Sequence, residues 1–515
     1  MGGRGGASWR VAGGALLAVF GFLLLAVFPA GPVGAQEAAG DVDAAAVDRF
    51  VEEYLDRTGL PGVAVAITHG DRVVHVAGYG TDSTGAAITG DSPMPVASVS
   101  KSFAALAVMQ LVEAGRVSLD EPVRRYLPDF VMADDRAERI TVRQLMQQTS
   151  GMADSAFADL RMPQAHSLEE AVTRLKDAEL ASEPGTEYHY HNPNFQVAAR
   201  IVEVVAGQPY GDYLREHIFE PIGMADSYTV DRPADAHDVP RGHIRLYGKA
   251  IAVGEIDWFV NGSHGIVTTA ADLARWLTVQ NGGGRAGEGP RIATEESVNL
   301  MHAPSPVGGY RMGWQYDETD PTRVYHGGDW FTYTAQQVLL PETGYGIAVL
   351  ANMGMGLEDD PAIIADGLVA LTRGQDPEVR RPAGIYADWA LGAATLGVVV
   401  SAGVLIGRAK GWADRRAGWP LARTVATQLP YLAAIPPLVL LPQLGSLVFA
   451  GRAGGYEHVL YVLPSAPIFL VVASVAGAAV VAVRAVRLRA RRTAPADPPS
   501  AEAVSPQSSS SRSVS

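Results

Sequence analysis

Ser98-Val99-Ser100-Lys101 stands between the turn-like Asp91-Ser92-Pro93-Met94-Pro95 and an apolar run from Phe103 to Val112. A Pro-bounded turn followed by Phe103, Leu106, Ala107, Met109 and Leu111 predicts a helix that starts near Ser98 and buries one face. Ser98 and Lys101, three apart, are then neighbours, so the amine reaches the hydroxyl, and burial of that amine would lower its pKa towards a useful base. Nucleophile and base share one turn. The alternative is a serine that merely caps the helix. Lysine is scarce, at Lys101, Lys176, Lys249 and Lys410, and only Lys101 has a serine three residues before it.

At 515 residues the chain exceeds one ordinary domain. A net charge of −14 argues against a nucleic-acid surface, which needs clustered Lys and Arg on a folded face. The absence of cysteine excludes disulfides, thiolate chemistry and Cys-ligated zinc. The histidines show no metal-ligand spacing, and neither a metal nor a cofactor is expected.

Residues 1–35 read as a signal peptide: Arg4 and Arg10, an apolar run from Val11 to Ala30, then Val33-Gly34-Ala35 for cleavage after Ala35, with an uncleaved anchor as the other reading. Either way, Gln36 onward is expected to be exported. A short helix from Val47 to Tyr54 precedes two β-rich runs, Val63 to His69 and Arg72 to Tyr79, joined as a hairpin by Gly70-Asp71. Ile140 to Met146 reads as a helix capped by Thr141 and runs into Gln147-Gln148-Thr149-Ser150-Gly151, a polar turn fit to line a cleft. Tyr188-His189-Tyr190-His191-Asn192-Pro193-Asn194-Phe195 gathers phenols, imidazoles and amides before an apolar helix, Val197 to Val205. Taken alone, this loop reads equally as an Asn-Pro turn edged by tyrosines. His264 falls in Asn261-Gly262-Ser263-His264-Gly265, near the start of a helix from Ala270 to Val279 capped by Thr268 and Thr269. Tyr325-His326-Gly327-Gly328-Asp329-Trp330 introduces a strand pair, Thr334 to Leu340 and Gly346 to Ala351, and its glycines let a backbone approach closely.

Together, Ser98-Val99-Ser100-Lys101, Tyr190-His191-Asn192 and His326-Gly327-Gly328 form an ordered triple that resembles the serine β-lactamase and penicillin-binding family, specifically the class C branch that also holds D-amino-acid peptidases and esterases. The resemblance covers about Asp48 to Leu371, supported by Leu119-Asp120-Glu121-Pro122-Val123, Ile140-Thr141-Val142-Arg143-Gln144-Leu145, Thr149-Ser150-Gly151, Gly313-Trp314 and Val349-Leu350-Ala351-Asn352. It implies an α/β (α+β) β-lactamase/transpeptidase-like fold: an antiparallel sheet flanked by helices, plus a mostly helical region, roughly Leu119 to Val279, closing the cleft. It implies Ser98 as the acylated nucleophile, Lys101 as neighbouring base and Tyr190 as the group exchanging protons with the leaving group. The N–H groups of Ser98 and Asp329 would form the oxyanion hole, and Asn192 would hold Lys101 or the substrate amide. Whether Lys101 or Tyr190 takes the serine proton stays open. His326 stands where many members have Lys, a departure common among the peptidases and esterases and one that disfavours β-lactam carboxylate binding.

The serine hydrolase domain is expected to occupy residues 36–375, with a linker at 376–388, and after Arg380-Arg381-Pro382 the composition turns apolar. Trp389 to Ile406, Val425 to Phe449 and Val459 to Val483 are each long enough to cross a bilayer, the second made irregular by Pro430, Pro436, Pro437 and Pro442. A three-helix transmembrane domain at 389–483 is expected, then a basic and disordered cytoplasmic tail at 484–515. Arg408, Lys410, Arg415, Arg416 and Arg423, and then Arg484 to Arg492, mark the cytoplasmic side, which puts the catalytic domain outside a multi-pass inner membrane protein.

An exported serine peptidase followed by three spans is similar to the membrane-bound peptidases that mature non-ribosomal peptide products, such as the colibactin-maturation peptidase. In that group an N-acyl-D-asparagine cap is read at places corresponding to Asn192, His264 and Asp329, where a Ser and an Asn are usual at the first and third. The expected activity is cleavage of an amide next to a D-residue in a peptide or acylated prodrug. A carboxylesterase or peptidoglycan D,D-peptidase shares the acyl-enzyme and stays open, as does an idle sensor that keeps the fold. A D-residue peptide or small molecule and the membrane are the partners expected; no oligomeric state follows.

Overall fold

The computed structural model describes residues 42–317, 320–448, 452 and 454–493; the expected signal peptide and the tail from Pro495 lie outside them. Six antiparallel strands form its centre. β1 (Gly62–His69) and β2 (Arg72–Gly80) make the hairpin expected around Gly70-Asp71. With β3 (Gln315–Tyr316), β4 (Val324–Asp329), β5 (Thr334–Leu340) and β6 (Tyr345–Ala351) they run in the order β2-β1-β6-β5-β4-β3. Because β1 pairs with β6, from Val63 opposite Ala351 to His69 opposite Tyr345, the N-terminal hairpin and C-terminal strands form one sheet. The chain between β2 and β3 is therefore an insertion, and Ser98 lies early in it, directly before its first α-helix.

Side chains alternate across a strand, and both faces here are covered, so β5 and β6 are buried along their whole length. Ala64 and Ala66 of β1 face a core containing Phe103, Leu106 and Trp276; Val63, Val65 and Ile67 face another containing Val47, Phe50, Val51, Ile364 and Leu368. Five helices supply these partners or frame the site: α1 (Ala44–Thr58), α2 (Ser100–Glu113), α3 (Pro193–Ala206), α4 (Ala270–Asn281) and α5 (Asp360–Thr372). Phe103 of α2 stacks on Trp276 of α4 with centroids 3.8 Å apart.

The inserted region is less helical than the sequence suggests. It contains an antiparallel pair, Gly242–Leu246 with Lys249–Val253, and long irregular stretches. The helix expected from Ile140 starts at Val142, because Thr141 caps it in a reciprocal box with Gln144. A short strand, Ile266–Thr268, separates His264 from α4, and Thr269 alone supplies the cap, accepting from Asp272 N at 3.1 Å.

Two C-terminal helices, α6 (Ala383–Gly407) and α7 (Ser465–Thr493), are long and apolar enough to cross a membrane, and α6 begins inside the expected linker. Between them Leu429–Val439 and Leu441–Leu447 meet at a 65° bend; counted as one broken span, this pair makes three. The bend falls in the proline-rich stretch, where missing N–H groups interrupt the helical ladder. The span expected from Val459 instead starts at Ser465. Pro464 isolates Tyr456–Val462, which lies against the inserted region: Tyr461 donates to the Gly254 carbonyl at 2.8 Å.

Candidate active site

Ser98 sits in a 3₁₀ turn, Ala97–Val99, that leads directly into α2. Ala97 before it has φ +46°, a left-handed conformation unfavourable for a side chain with a Cβ and of the kind that clusters at functional sites. The Ser98 hydroxyl caps nothing. It lies 2.8 Å from Lys101 Nζ and 2.8 Å from His264 Nε2.

Lys101 is fully buried and donates to the Ser263 carbonyl at 3.1 Å. Burial, with the Arg452 charge adding to it, depresses its pKa well below the ordinary lysine value. A neutral amine has a lone pair to accept the serine proton. His264 is likewise held neutral by burial and by the neighbouring Lys101. Its Nδ1 lies 2.8 Å from Ser263 Oγ, and Trp330 Nε1 donates to its carbonyl at 3.1 Å, so the ring is fixed on the nucleophile. The sequence placed His264 at the substrate cap; its contact with Ser98 arises because the loop before Ile266–Thr268 passes beside α2.

Tyr190 is brought to the same place. Lys101 Nζ lies 5.0 Å from its ring centroid, and burial raises the phenol pKa while the Arg452 charge and Ser98 oppose that rise. A phenol kept protonated suits proton donation to a leaving group. Its loop rests on the polar turn at Gln147 to Ser150: Gln148 Oε1 accepts from His191 N at 3.0 Å and Asn194 Nδ2 at 2.6 Å, and Ser150 Oγ donates to Asn194 Oδ1 at 2.6 Å. Asn192 stands at the start of α3 but makes no capping bond, and neither does it hold Lys101. Its Oδ1 and Nδ2 are both buried without a partner.

β4 forms the opposite wall. A Cβ on Gly328 would lie 2.1 Å from Val96 O and 3.1 Å from Ser98 N, so only glycine lets this strand reach the nucleophile's turn. Gly327 and Asp329 flank it, which sets the Asp329 backbone beside the Ser98 turn. Burial raises the pKa of the Asp329 carboxyl, and its side-chain hydrogen bond with Asp359 opposes that rise. His326 is buried, its pKa pushed down to about 3 by burial and by Lys101, and its Nε2 lies 2.7 Å from Tyr310 OH. It is therefore no cation.

Tyr310 escaped the sequence reading. It holds His326, stacks on Tyr188 and meets Tyr190 edge-on at 5.9 Å, in a segment with no motif of its own. Gly313, φ +77°, explains the Gly313-Trp314 segment: a Cβ there would lie 2.6 Å from Lys101 O. Among the described residues no His, Asp and Glu group could hold a metal ion.

A two-sided antiparallel sheet with a serine and a lysine one turn apart at its first inserted helix is the architecture of the β-lactamase and transpeptidase-like serine hydrolases. A profile of the Beta-lactamase family matches residues 47–372, and the chain belongs to that family. It is 29% identical over 342 residues to "Penicillin-binding protein 4" of Amycolatopsis lactamdurans, covering 63% of this chain and 89% of that protein. It is 25% identical over 312 residues to "Protein flp" of Staphylococcus aureus strain MW2, covering 60% of this chain and 62% of that relative's length. Among solved structures, the octameric penicillin-binding protein homologue from Pyrococcus abyssi matches with a TM-score of 0.57 and 26% identity, over 67% of this chain and 80% of that one.

Proposed function

We propose that the protein is a membrane-anchored serine peptidase, its catalytic domain outside the cytoplasmic membrane, that is acylated at Ser98 and cleaves an amide next to a D-residue. The observation that carries this reading is the buried Ser98 Oγ, 2.8 Å from the amine of Lys101, whose pKa burial depresses. In the acylation step the Ser98 proton passes to Lys101 Nζ as Oγ bonds to the substrate carbonyl carbon. The backbone N–H groups of Ser98 and Asp329 receive the oxyanion. The C–N bond then breaks as Tyr190 gives its phenolic proton to the leaving amine, and water releases the acyl group by the reverse sequence. Asn192 supports an amide substrate, because its unpaired donor and acceptor complement one peptide group. A neutral His326 offers no charge of its own to a substrate carboxylate.

The named relatives include a penicillin-binding protein, which supports a D-residue substrate. The full-length enzyme is expected to hydrolyse N-acyl-D-aminoacyl amides and to leave the L-isomers, with Ser98→Ala inactive. Equal turnover of both isomers would remove the D-peptidase reading, and turnover by Ser98→Ala would remove the acyl-enzyme.

A further inference from the structure

Arg452 belongs to the C-terminal apolar region, between Leu441–Val448 and Tyr456–Val462, yet it reaches the acylation site. Its guanidinium lies 5.6 Å from the Tyr190 ring centroid and 3.6 Å from Asp154 Oδ2. The neighbouring chain is docked on the catalytic domain. Arg161 Nε donates to Gly454 O at 2.8 Å, His458 meets Phe331 edge-on at 5.0 Å, and Val462 joins the main core.

This guanidinium has donors to spare. Its Nε faces Asp154 Oδ2 at a distance longer than a hydrogen bond and is buried without a hydrogen-bond partner, as is Asp154 Oδ1. A planar guanidinium with five N–H groups is suited to a carboxylate in paired geometry. The other basic side chains described at the site do not compete: Lys101 and His264 are buried against Ser98, and His326 is tied to Tyr310. Arg452 therefore carries the accessible positive charge at the site. It stands over the ring of Tyr190, the group proposed to protonate the leaving amine.

We infer that Arg452 is a substrate-binding residue supplied by the membrane segment, and that it holds a carboxylate carried on the leaving-group side of the scissile bond. The inference rests on the acyl-enzyme reading of Ser98 and adds to it a specificity contact from outside the family-matched residues 47–372.

The test uses the full chain in detergent and alkylphosphonate aryl esters that label the nucleophile, followed by intact-protein mass spectrometry. One probe carries a meta-carboxylate on the aryl leaving group, a second its methyl ester, and a third the carboxylate on the alkyl side. The wild type should label with the first roughly tenfold or more faster than with the second, as expected for one charge-assisted pair. Arg452→Gln should bring that ratio to about one, and Arg452→Lys should restore part of it. Because each ratio is taken within one protein, partial loss of folded enzyme cancels. An unchanged ratio in Arg452→Gln, a wild-type ratio near one, or a preference for the third probe alone would overturn the inference while leaving the acyl-enzyme intact. Failure of every probe to label the wild type would overturn both.

Discussion

Lys101 owes its proposed role as base to where α2 puts it: the amine is sealed from water, and protonating it would leave a charge desolvated beside Arg452. The sign follows directly. A base must be neutral to act, so activity falls as pH drops through its pKa, and a depressed pKa moves that acid limb down. The kcat/KM profile should stay flat well below about pH 10, and Lys101→Ala should cost roughly 10²- to 10⁴-fold; an acid limb at the ordinary lysine value would contradict the assignment. Gly328→Ala provides the steric counterpart. Its methyl would press on Val96 O, drive β4 from the Ser98 turn and lower the labelling rate by roughly 10²-fold, the usual cost of losing an oxyanion donor. Labelling within twofold of wild type would mean that β4 does not form that wall. At this scale the sequence disclosed what depends on spacing. Ser98 and Lys101 are three apart on one turn, and that contact can be read from the chain. The contacts of His264 with Ser98 and of Tyr310 with His326 join residues brought together by separate elements, and no local pattern encodes them.

Among elements, the turn after β4 is tied down by Glu255, whose carboxylate accepts from Phe331 N at 3.2 Å, Thr332 N at 2.9 Å and Thr332 Oγ1 at 2.6 Å. Burial raises its pKa to about 7 in spite of these donors. A carboxyl whose folded pKa is raised stabilises most below its unfolded value and loses that contribution as pH rises through the folded one. Wild-type stability should therefore fall between about pH 4.5 and 7 by on the order of 1–2 kcal/mol, discounted for the solvent that partly reaches the group. Glu255→Gln, which mimics the protonated form, should remove that slope in thermal melts, and an identical slope would refute it. The central strands were legible because β1, β5 and β6 are short apolar runs bounded by turn residues. The hairpin of Gly242–Leu246 and Lys249–Val253 was not. Its residues are largely exposed or half-buried, so alternation is weak, and its turn uses Tyr247 at φ +51° before Gly248 rather than a standard turn pair.

For the whole molecule, α6 and α7 carry the apolar length, while basic residues gather after α6 and at the end of α7. Hydropathy and charge exposed both helices to sequence reading, but the docking of Tyr456–Val462 on the catalytic domain stayed hidden, since an apolar stretch reads alike whether it meets lipid or protein. The chain has no cysteine, so single replacements report topology without background. Ala417→Cys should react with a membrane-impermeant maleimide only after the cytoplasmic membrane is permeabilised. Val73→Cys, at an exposed position of β2, should react while that membrane is intact. The opposite pattern at the two positions would reverse the topology.

Activation of Ser98 is read by intact-protein mass spectrometry of the full chain after exposure to a fluorophosphonate, with peptide mapping of the adduct. A single adduct on Ser98, slowed strongly in Lys101→Ala and absent in Ser98→Ala, is the expected result. An adduct on another residue, or none on correctly folded protein, would contradict the account of Ser98 as an activated nucleophile.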